Sequence, residues 1–145
     1  MTVKQISVFL ENKPGQLGEF TRLLEDHQID MRALSVAEAE DFGILRLIVD
    51  DPYKTACVLK DAGYICSITP VLAVEIPDRP GGLVEILDIL GQGHINLEYM
   101  YAFTARCKDR AYMIFRVADA EAAVKELNGR GVKLVCHDEM AELFD

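Results

Sequence analysis

The sequence predicts an α+β protein built from two β-α-β-β-α-β units in tandem. Three segments of the first half recur in the same order in the second half, 66 to 68 residues later: 13–17 at 79–83, 29–31 at 95–97 and 59–63 at 127–131. Internal repetition of this kind indicates duplicated structural units. Apolar residues at strand and helix spacing then define the elements within each unit.

The first unit is predicted to span residues 1–69. Val3 to Leu10 alternates apolar and polar side chains, as a half-buried strand does. Asn12 to Gly15 has the composition of a turn, and apolar residues recur at helical spacing from Leu17 onward. The same patterns predict the remaining elements: a strand at 29–39, a hairpin turn at 41–43, a strand at 44–49, a helix at 52–62 that ends before Gly63, and a strand at 64–69.

The second unit, residues 70–145, repeats this order. Its predicted elements are a strand at 71–76, a turn at 78–81, a helix that begins near Leu83, strands at 95–105 and 111–117, a helix at 120–128 capped by Asp119, a strand at 132–136 and a helical turn at 139–144. Only Pro70 separates the units, whereas a flexible linker would be longer and rich in Gly and Ser. Because each unit is small for an independent core, we expect the two to pack side by side.

Composition excludes two classes of partner. The formal net charge of −9 argues against nucleic acid, which proteins bind with an excess of Lys and Arg. The sequence has no run of about 18 apolar residues, so no membrane span is expected. The first residues, Met1 to Lys4, show no signal-peptide pattern, and a cytoplasmic location is therefore expected.

The cysteines and histidines form no pattern typical of a metal site, a disulfide framework or an enzyme active site. The four cysteines lack the short spacings of metal ligands and are expected to be buried free thiols: Cys57, Cys66, Cys107 and Cys136. The three histidines are scattered, with no nucleophile or acid–base partner in a recognisable arrangement. We expect no metal, no cofactor and no catalytic activity.

The Pro-Gly turns are the segments whose chemistry suggests a ligand. A turn that leads into a helix presents backbone N–H groups without intrahelical partners, which attract a carboxylate or a phosphate. Gly15 and Gly81 let a ligand approach the backbone, and Asn12 and Asp78 add side-chain oxygens just upstream. Donors beside an acceptor match the carboxylate and ammonium groups of a free α-amino acid. A purely structural turn explains the same residues, since Asn and Asp also close turns and cap helices.

Taken together, the two turns and the element order resemble the ACT domain. The resemblance rests on Asn12-Lys13-Pro14-Gly15-Gln16-Leu17, on Asp78-Arg79-Pro80-Gly81-Gly82-Leu83, and on the Ile-Asp-Met and Ile-Asn-Leu segments that open the second strands. It implies two ferredoxin-like βαββαβ units that join edge to edge into a continuous antiparallel eight-stranded sheet. It also implies a regulatory module that binds an amino acid where two such units meet.

The resemblance further implies two sets of ligand-binding residues. The first site would use Asn12, Gly15, Gln16 and Leu17 and be closed by Asn96, and the second would use Asp78, Gly81, Gly82 and Leu83 and be closed by Asp30. A carboxylate at Asp30 would repel the carboxylate of a ligand held nearby. The first site is therefore the stronger candidate.

The sequence thus favours a non-catalytic amino-acid sensor that acts on an unidentified regulated enzyme. The alternative is a protein–protein interaction or scaffold module without a small-molecule ligand. Exposed sheet edges invite pairing, so a homodimer is expected.

Overall fold

The structure is a computed structural model that describes residues 1–38, 40–103 and 108–142. It divides into two compact units: a first unit of Lys4–Thr69, and a second unit of Met1–Val3 with Pro70–Asp145. The helices and strands are, in chain order, β1 (Val3–Glu11), α1 (Gln16–Asp26), β2 (Met31–Glu38), β3 (Phe42–Val49), α2 (Pro52–Asp61), β4 (Ile65–Pro77), α3 (Gly82–Gln92), β5 (Leu97–Phe103), β6 (Arg110–Val117), α4 (Ala120–Gly129), β7 (Leu134–Val135) and α5 (His137–Glu142).

This order confirms the predicted α+β class and the β-α-β-β-α-β succession of both units. Side-by-side packing, a single eight-stranded sheet and the domain boundary at residues 69 and 70 stay predictions.

In the first unit, β3 pairs antiparallel with β1 on one side and with β2 on the other, and β4 flanks β1. The register of β2 shifts between Met31 and Ala33, so residues beyond this bulge face the side opposite to that expected from strict alternation. One face of the sheet packs against the two helices and forms the apolar core: Ile6, Val8, Leu10, Phe20, Leu24, Ile29, Leu45, Leu47, Val49 and Leu59.

The predicted hairpin turn at 41–43 is wrong in its later part. Phe42 and Gly43 already belong to β3, where they pair with Glu11 and Leu10 of β1. The ring of Phe42 lies 6.0 Å from that of Phe9, and this aromatic contact accompanies the longer pairing. As a consequence, Gly43 lies inside the sheet rather than in a loop.

The ends of α2 have local causes. The Oδ1 atom of Asp51 caps the helix by accepting a hydrogen bond from the backbone N–H of Lys54 (3.0 Å). Pro52 fits the first helical turn. The helix ends before Gly63, whose φ of +88° is a conformation that glycine adopts without strain, as the sequence predicted. Asp119 caps α4 in the same way by accepting from the N–H of Ala122 (3.0 Å).

In the second unit, β6 lies between β4 and β5, and β7 pairs with β4. The strand predicted at 132–136 is only two residues long, because β7 pairs with Ala73 and Val74 alone. The core of this unit comprises Leu72, Val74, Ile76, Ile86, Leu90, Ile95, Phe115, Val117, Ala123, Leu127 and Leu134. Residues 65–77 form one continuous strand where two strands separated by Pro70 were predicted, since the fixed φ of proline is compatible with extended chain.

The described cysteines are free, but the expectation that they are buried is wrong: Cys57 is exposed, and Cys66 and Cys136 are half-buried. It lies on the outer side of α2, whose buried side chains include Ala56 and Leu59. Cys107, the predicted strand ends at residues 39 and 105, and the end of the predicted helical turn at 143–144 lie outside the described residues. Across the described part of the chain, no helix is long and apolar enough to cross a membrane.

A candidate ligand site at the first Pro-Gly turn

The turn between β1 and α1 leaves backbone donors available. Gly15 precedes the helix with a φ of +83°, and no side chain caps the first turn. The N–H of Gln16 donates to the carbonyl of Lys13 (3.3 Å), and the N–H of Glu19 donates to the carbonyl of Gly15 (2.9 Å). The N–H groups of residues 17 and 18 lie between these two and are left for a ligand or for water. The positive end of the helix dipole adds to their attraction for an anion.

A cavity of about 340 Å³ opens beside these amides, entirely within the first unit. It has a polar end at the turn and an apolar wall and floor formed by α1 and the sheet. Its lining residues are Leu10, Glu11, Asn12, Lys13, Gln16, Leu17, Val36, Glu38, Gly43 and Leu45. The cavity therefore brings three of the predicted site residues together: Asn12, Gln16 and Leu17.

The register of three neighbouring strands forms the floor. Gly43 of β3 pairs with Leu10 of β1 on one side and with Glu38 of β2 on the other. A Cβ atom at Gly43 would lie 3.3 Å from the carbonyl oxygen of Ala37 and 3.9 Å from a methyl group of Val36. Because Gly43 has no side chain, the surface of the sheet between Leu10 and Glu38 is open at this position.

The lining of the cavity includes the charged side chains of Lys13, which is held in an ion pair, and Glu38, which has no such pair among the described residues. The ammonium of Lys13 lies 2.6 Å from the Glu11 carboxylate, and this hydrogen bond and charge raise the pKa of Lys13 above its usual value. Glu38 is exposed, and no cation of the described residues lies within ion-pair distance of it. A free carboxylate is therefore available at the edge of the cavity.

The second Pro-Gly turn repeats the backbone of the first but not its space. Gly81 again precedes the helix, with a φ of +87° and no side-chain cap. Gly82, however, is buried, and a Cβ atom there would lie 2.2 Å from the carbonyl oxygen of Pro77. The N–H of Gly82 donates to the carbonyl of Arg79 (3.0 Å). Glycine at this position therefore has a packing reason that is independent of any ligand.

The strand positions near the second turn are also filled differently. Ala111 of β6 pairs with Ile76 of β4, and this pair is equivalent to Gly43 and Leu10 in the first unit. The methyl group of Ala111 therefore occupies the position that glycine leaves open in the first unit. The cavity of about 410 Å³ near this turn is lined by Pro77 and by charged side chains, but not by the predicted site residues Asp78, Gly81, Gly82 and Leu83. Asp78 is exposed, and its N–H donates to the carbonyl of Asp109 (3.1 Å).

Each residue predicted to close a site belongs to a different unit from the turn of that site: Asn96 to the second unit, and Asp30 to the first. Asn96 is exposed in the second unit, where its carbonyl accepts a hydrogen bond from the N–H of Ala118 (3.0 Å). In the first unit, the Asp30 carboxylate pairs with the guanidinium of Arg32 (3.2 Å). Their closing roles stay predictions.

Sequence reasoning did not assign seven of the lining residues to the site: Leu10, Glu11, Lys13, Val36, Glu38, Gly43 and Leu45. A glycine next to the apolar run at 44–49 was the available signal, since a glycine within a strand often marks a close approach of another group. Among residues 1–38, 40–103 and 108–142, no group of three His, Cys, Asp or Glu side chains is placed to hold a metal ion.

Comparison with known proteins identifies the family. A family model described as an ACT domain pair matches residues 1–144. No curated protein matches the sequence. Among solved structures, protein BT0572 from Bacteroides thetaiotaomicron is 37% identical, with a TM-score of 0.92 over 99% of this chain and 98% of that one.

More distant structures share the fold. The regulatory subunit of aspartate kinase from Thermus thermophilus, in a ligand-free form, is 16% identical with a TM-score of 0.65, over 87% of this chain and 91% of that one. Aspartate kinase from Synechocystis is 18% identical with a TM-score of 0.56, over 92% of this chain and 27% of that one. The family match and the duplicated β-α-β-β-α-β units agree, and the chain belongs to the ACT domain pair family.

Proposed function

We propose that this chain is a non-catalytic regulatory module that binds a free α-amino acid at the first Pro-Gly turn. The observation that carries the proposal is the cavity of about 340 Å³ beside an uncapped helix N-terminus. Cavities of this size hold small ligands. The ACT resemblance supports an amino acid as the class of ligand. The similarity in fold to an aspartate kinase regulatory subunit supports a regulatory role.

The two polar groups of the ligand have complementary partners at the turn. The ligand carboxylate accepts hydrogen bonds from the N–H groups of Leu17 and Gly18, where the helix dipole favours negative charge. The ligand ammonium donates to the side-chain oxygen of Asn12, which lines the cavity. Leu17 also presents an apolar side chain that is 41% exposed and able to cover a ligand.

The first turn is proposed as the site in preference to the second. Gly82 packs on Pro77 and Ala111 occupies the floor position, so the second turn offers less space. The second set, Asp78, Gly81, Gly82 and Leu83 with Asp30, stays a weaker proposal. Closure of the first site by Asn96 is proposed from the family resemblance alone.

We further propose that the chain works as a cytoplasmic homodimer that passes the ligand signal to a regulated enzyme. Strand β2 supports the homodimer, because among the described residues it pairs with β3 only and leaves an open edge. Two of its apolar side chains are exposed, Leu34 at 40% and Val36 at 54%. Open apolar edges favour pairing with another chain.

A protein-interaction module without a ligand is the second candidate function. It is favoured by an exposed apolar cluster on the first unit: Phe9 at 48%, Phe42 at 45% and Ile65 at 71%. Exposed apolar side chains that lie together often mark a protein-binding surface.

Isothermal titration calorimetry with each of the twenty amino acids distinguishes the two functions. At millimolar ligand we expect heat from at least one amino acid. Asn12→Ala should weaken that binding about tenfold or more, because a hydrogen bond to a charged group is lost. Asp78→Ala, the matching change at the second turn, should leave the affinity of the first site nearly unchanged, because Asp78 does not line its cavity. No heat from any amino acid would contradict the sensor function.

A further inference from the structure

The cavity at the first turn has an apolar half that the polar groups of an amino acid do not use. Leu10 and Leu45 form a floor that is 8% and 0% exposed, respectively. Leu17 and Val36 stand at its side and are 41% and 54% exposed. A ligand side chain that covered these residues would remove apolar surface from water, which favours binding in proportion to the area buried.

The same apolar half extends along one strand. Val36 pairs with Leu45, and two residues further Glu38 pairs with Gly43, so Val36 and Glu38 lie on the same face of β2. The cavity wall therefore changes from a branched apolar side chain to a carboxylate over two positions. Gly43 leaves the intervening floor without a side chain.

Glu38 is the lining carboxylate that is free to bind a cation. The other acidic side chain in the lining, Glu11, is already paired with Lys13 (2.6 Å). An ammonium group held between Glu38 and the side-chain oxygen of Asn12 would have a counter-charge and an acceptor together. Hydrogen bonds to ionised partners are roughly twice as strong as those between neutral groups.

The lining disfavours a second charge on the ligand. A side-chain carboxylate would approach Glu38, and the nearby cation, Lys13, is held by Glu11. A basic side chain would compete with the α-ammonium for the single free carboxylate and would lie against Leu17 and Val36. Burying an unpaired charge against apolar surface is unfavourable.

We propose that this site selects α-amino acids with an aliphatic side chain, and that Glu38 makes a free ammonium group a requirement. The inference rests on the proposed amino-acid site and adds the class of its ligand. Leu17 and Val36 determine the preference for an aliphatic side chain. Glu38 discriminates amino acids from the corresponding 2-oxo acids, which have the same carboxylate and side chain but no ammonium group.

Titration calorimetry on the full chain with three probes tests this: leucine, aspartate and 4-methyl-2-oxopentanoate, the 2-oxo acid of leucine. Leucine should bind at least tenfold more tightly than either of the others. Glu38→Gln should weaken leucine binding about tenfold while leaving the weak binding of the 2-oxo acid unchanged or stronger. Glu40→Gln, an equal change of charge at an exposed residue outside the lining, is the matched control and should have little effect.

A second pair of variants tests the apolar wall. Val36→Thr keeps the shape of the side chain and replaces a methyl group by a hydroxyl. It should weaken leucine binding several-fold and alanine binding by less. Val84→Thr makes the same change on α3 in the second unit, where Val84 is 56% exposed, and should not alter either affinity. Thermal unfolding of all variants establishes that they remain folded.

The outcomes separate this inference from the proposed function. If no amino acid binds the wild-type chain, the proposed function fails and the inference fails with it. If aspartate binds as tightly as leucine, the site binds amino acids but the aliphatic preference is wrong. If Glu38→Gln and Glu40→Gln bind leucine equally, Glu38 has no role in holding the ammonium group.

Discussion

Three glycines of the two Pro-Gly turns illustrate, at the scale of single residues, that different physical constraints can require the same residue type. Gly15 and Gly81 both have φ near +85°, where a Cβ atom would be strained although neither has a neighbour within 4 Å of that position. Gly82 has an ordinary φ but no space, since its α-carbon faces the Pro77 carbonyl. The sequence shows glycine in all three cases and does not distinguish backbone strain from close packing.

Gly82→Ala should therefore destabilise the protein. The added methyl group would lie 2.2 Å from a backbone oxygen, which cannot move away as a flexible side chain can. We expect a loss of about 2 kcal/mol in the free energy of unfolding, the range typical of overpacking. Urea denaturation of the variant and wild type measures it.

Gly18→Ala is the matched control for this change. Gly18 lies in α1 with nothing within 4 Å of a Cβ position, so alanine should be neutral or stabilising by about 0.5 kcal/mol. Equal stabilities of the two variants would show that the contact with Pro77 relaxes without cost.

At the scale of elements, the helix ends of α2 and α4 were duplicated together with their caps. Asp51 and Asp119 have nearly the same backbone conformation, with φ of −130° and −127°, and each accepts a hydrogen bond from the N–H three residues later. Asp51→Ala should lower the free energy of unfolding by about 1 kcal/mol, the usual effect of losing an N-terminal cap.

Asp61→Ala is the appropriate control, since it removes a carboxylate from the opposite end of the same helix. There the negative end of the helix dipole disfavours an acidic side chain, so stability should stay the same or rise slightly. Chemical denaturation of both variants compares them. If Asp51→Ala is no less stable than Asp61→Ala, the cap contributes nothing in solution.

The elements themselves were largely predictable, because each depends on neighbours in sequence. Helical spacing from Leu17 and from Leu83, the Pro-Gly turns and the glycine after α2 all act over a few residues. The errors occurred where distant pairing determines the boundary. Phe42 and Gly43 join β3 because β1 pairs with them, and β7 is short because only Ala73 and Val74 pair with it.

The candidate site was predictable only at its turn. Asn12, Gln16 and Leu17 follow one another closely enough for a motif to reveal them. Val36, Glu38 and Gly43 reach the same cavity through the register of three strands, and a bulge at the start of β2 fixes which residues face it. Because a shift of one residue exchanges the two faces of a strand, no pattern within β2 alone could have assigned Glu38 to the cavity.

At the scale of the whole molecule, the open edge of β2 favours association of two chains. Among the described residues β2 pairs only with β3, and Leu34 on it is 40% exposed. We expect the chain to sediment at tens of micromolar with twice the 16.2-kDa mass of one chain. Leu34→Lys should shift it toward the monomer, because charged side chains on an edge strand oppose pairing with another edge.

Leu87→Lys is a suitable control, since Leu87 is also partly exposed, at 36%, but lies on helix α3 and offers no unpaired backbone groups. Sedimentation velocity of the three proteins over a concentration series would show dissociation for Leu34→Lys alone if the β2 edge forms the dimer. Loss of the dimer in both variants would point to a surface other than this edge. A wild-type chain that sediments as a monomer throughout would remove the homodimer from the proposal, while leaving the cavity of the first unit, which one chain forms by itself, as a ligand site.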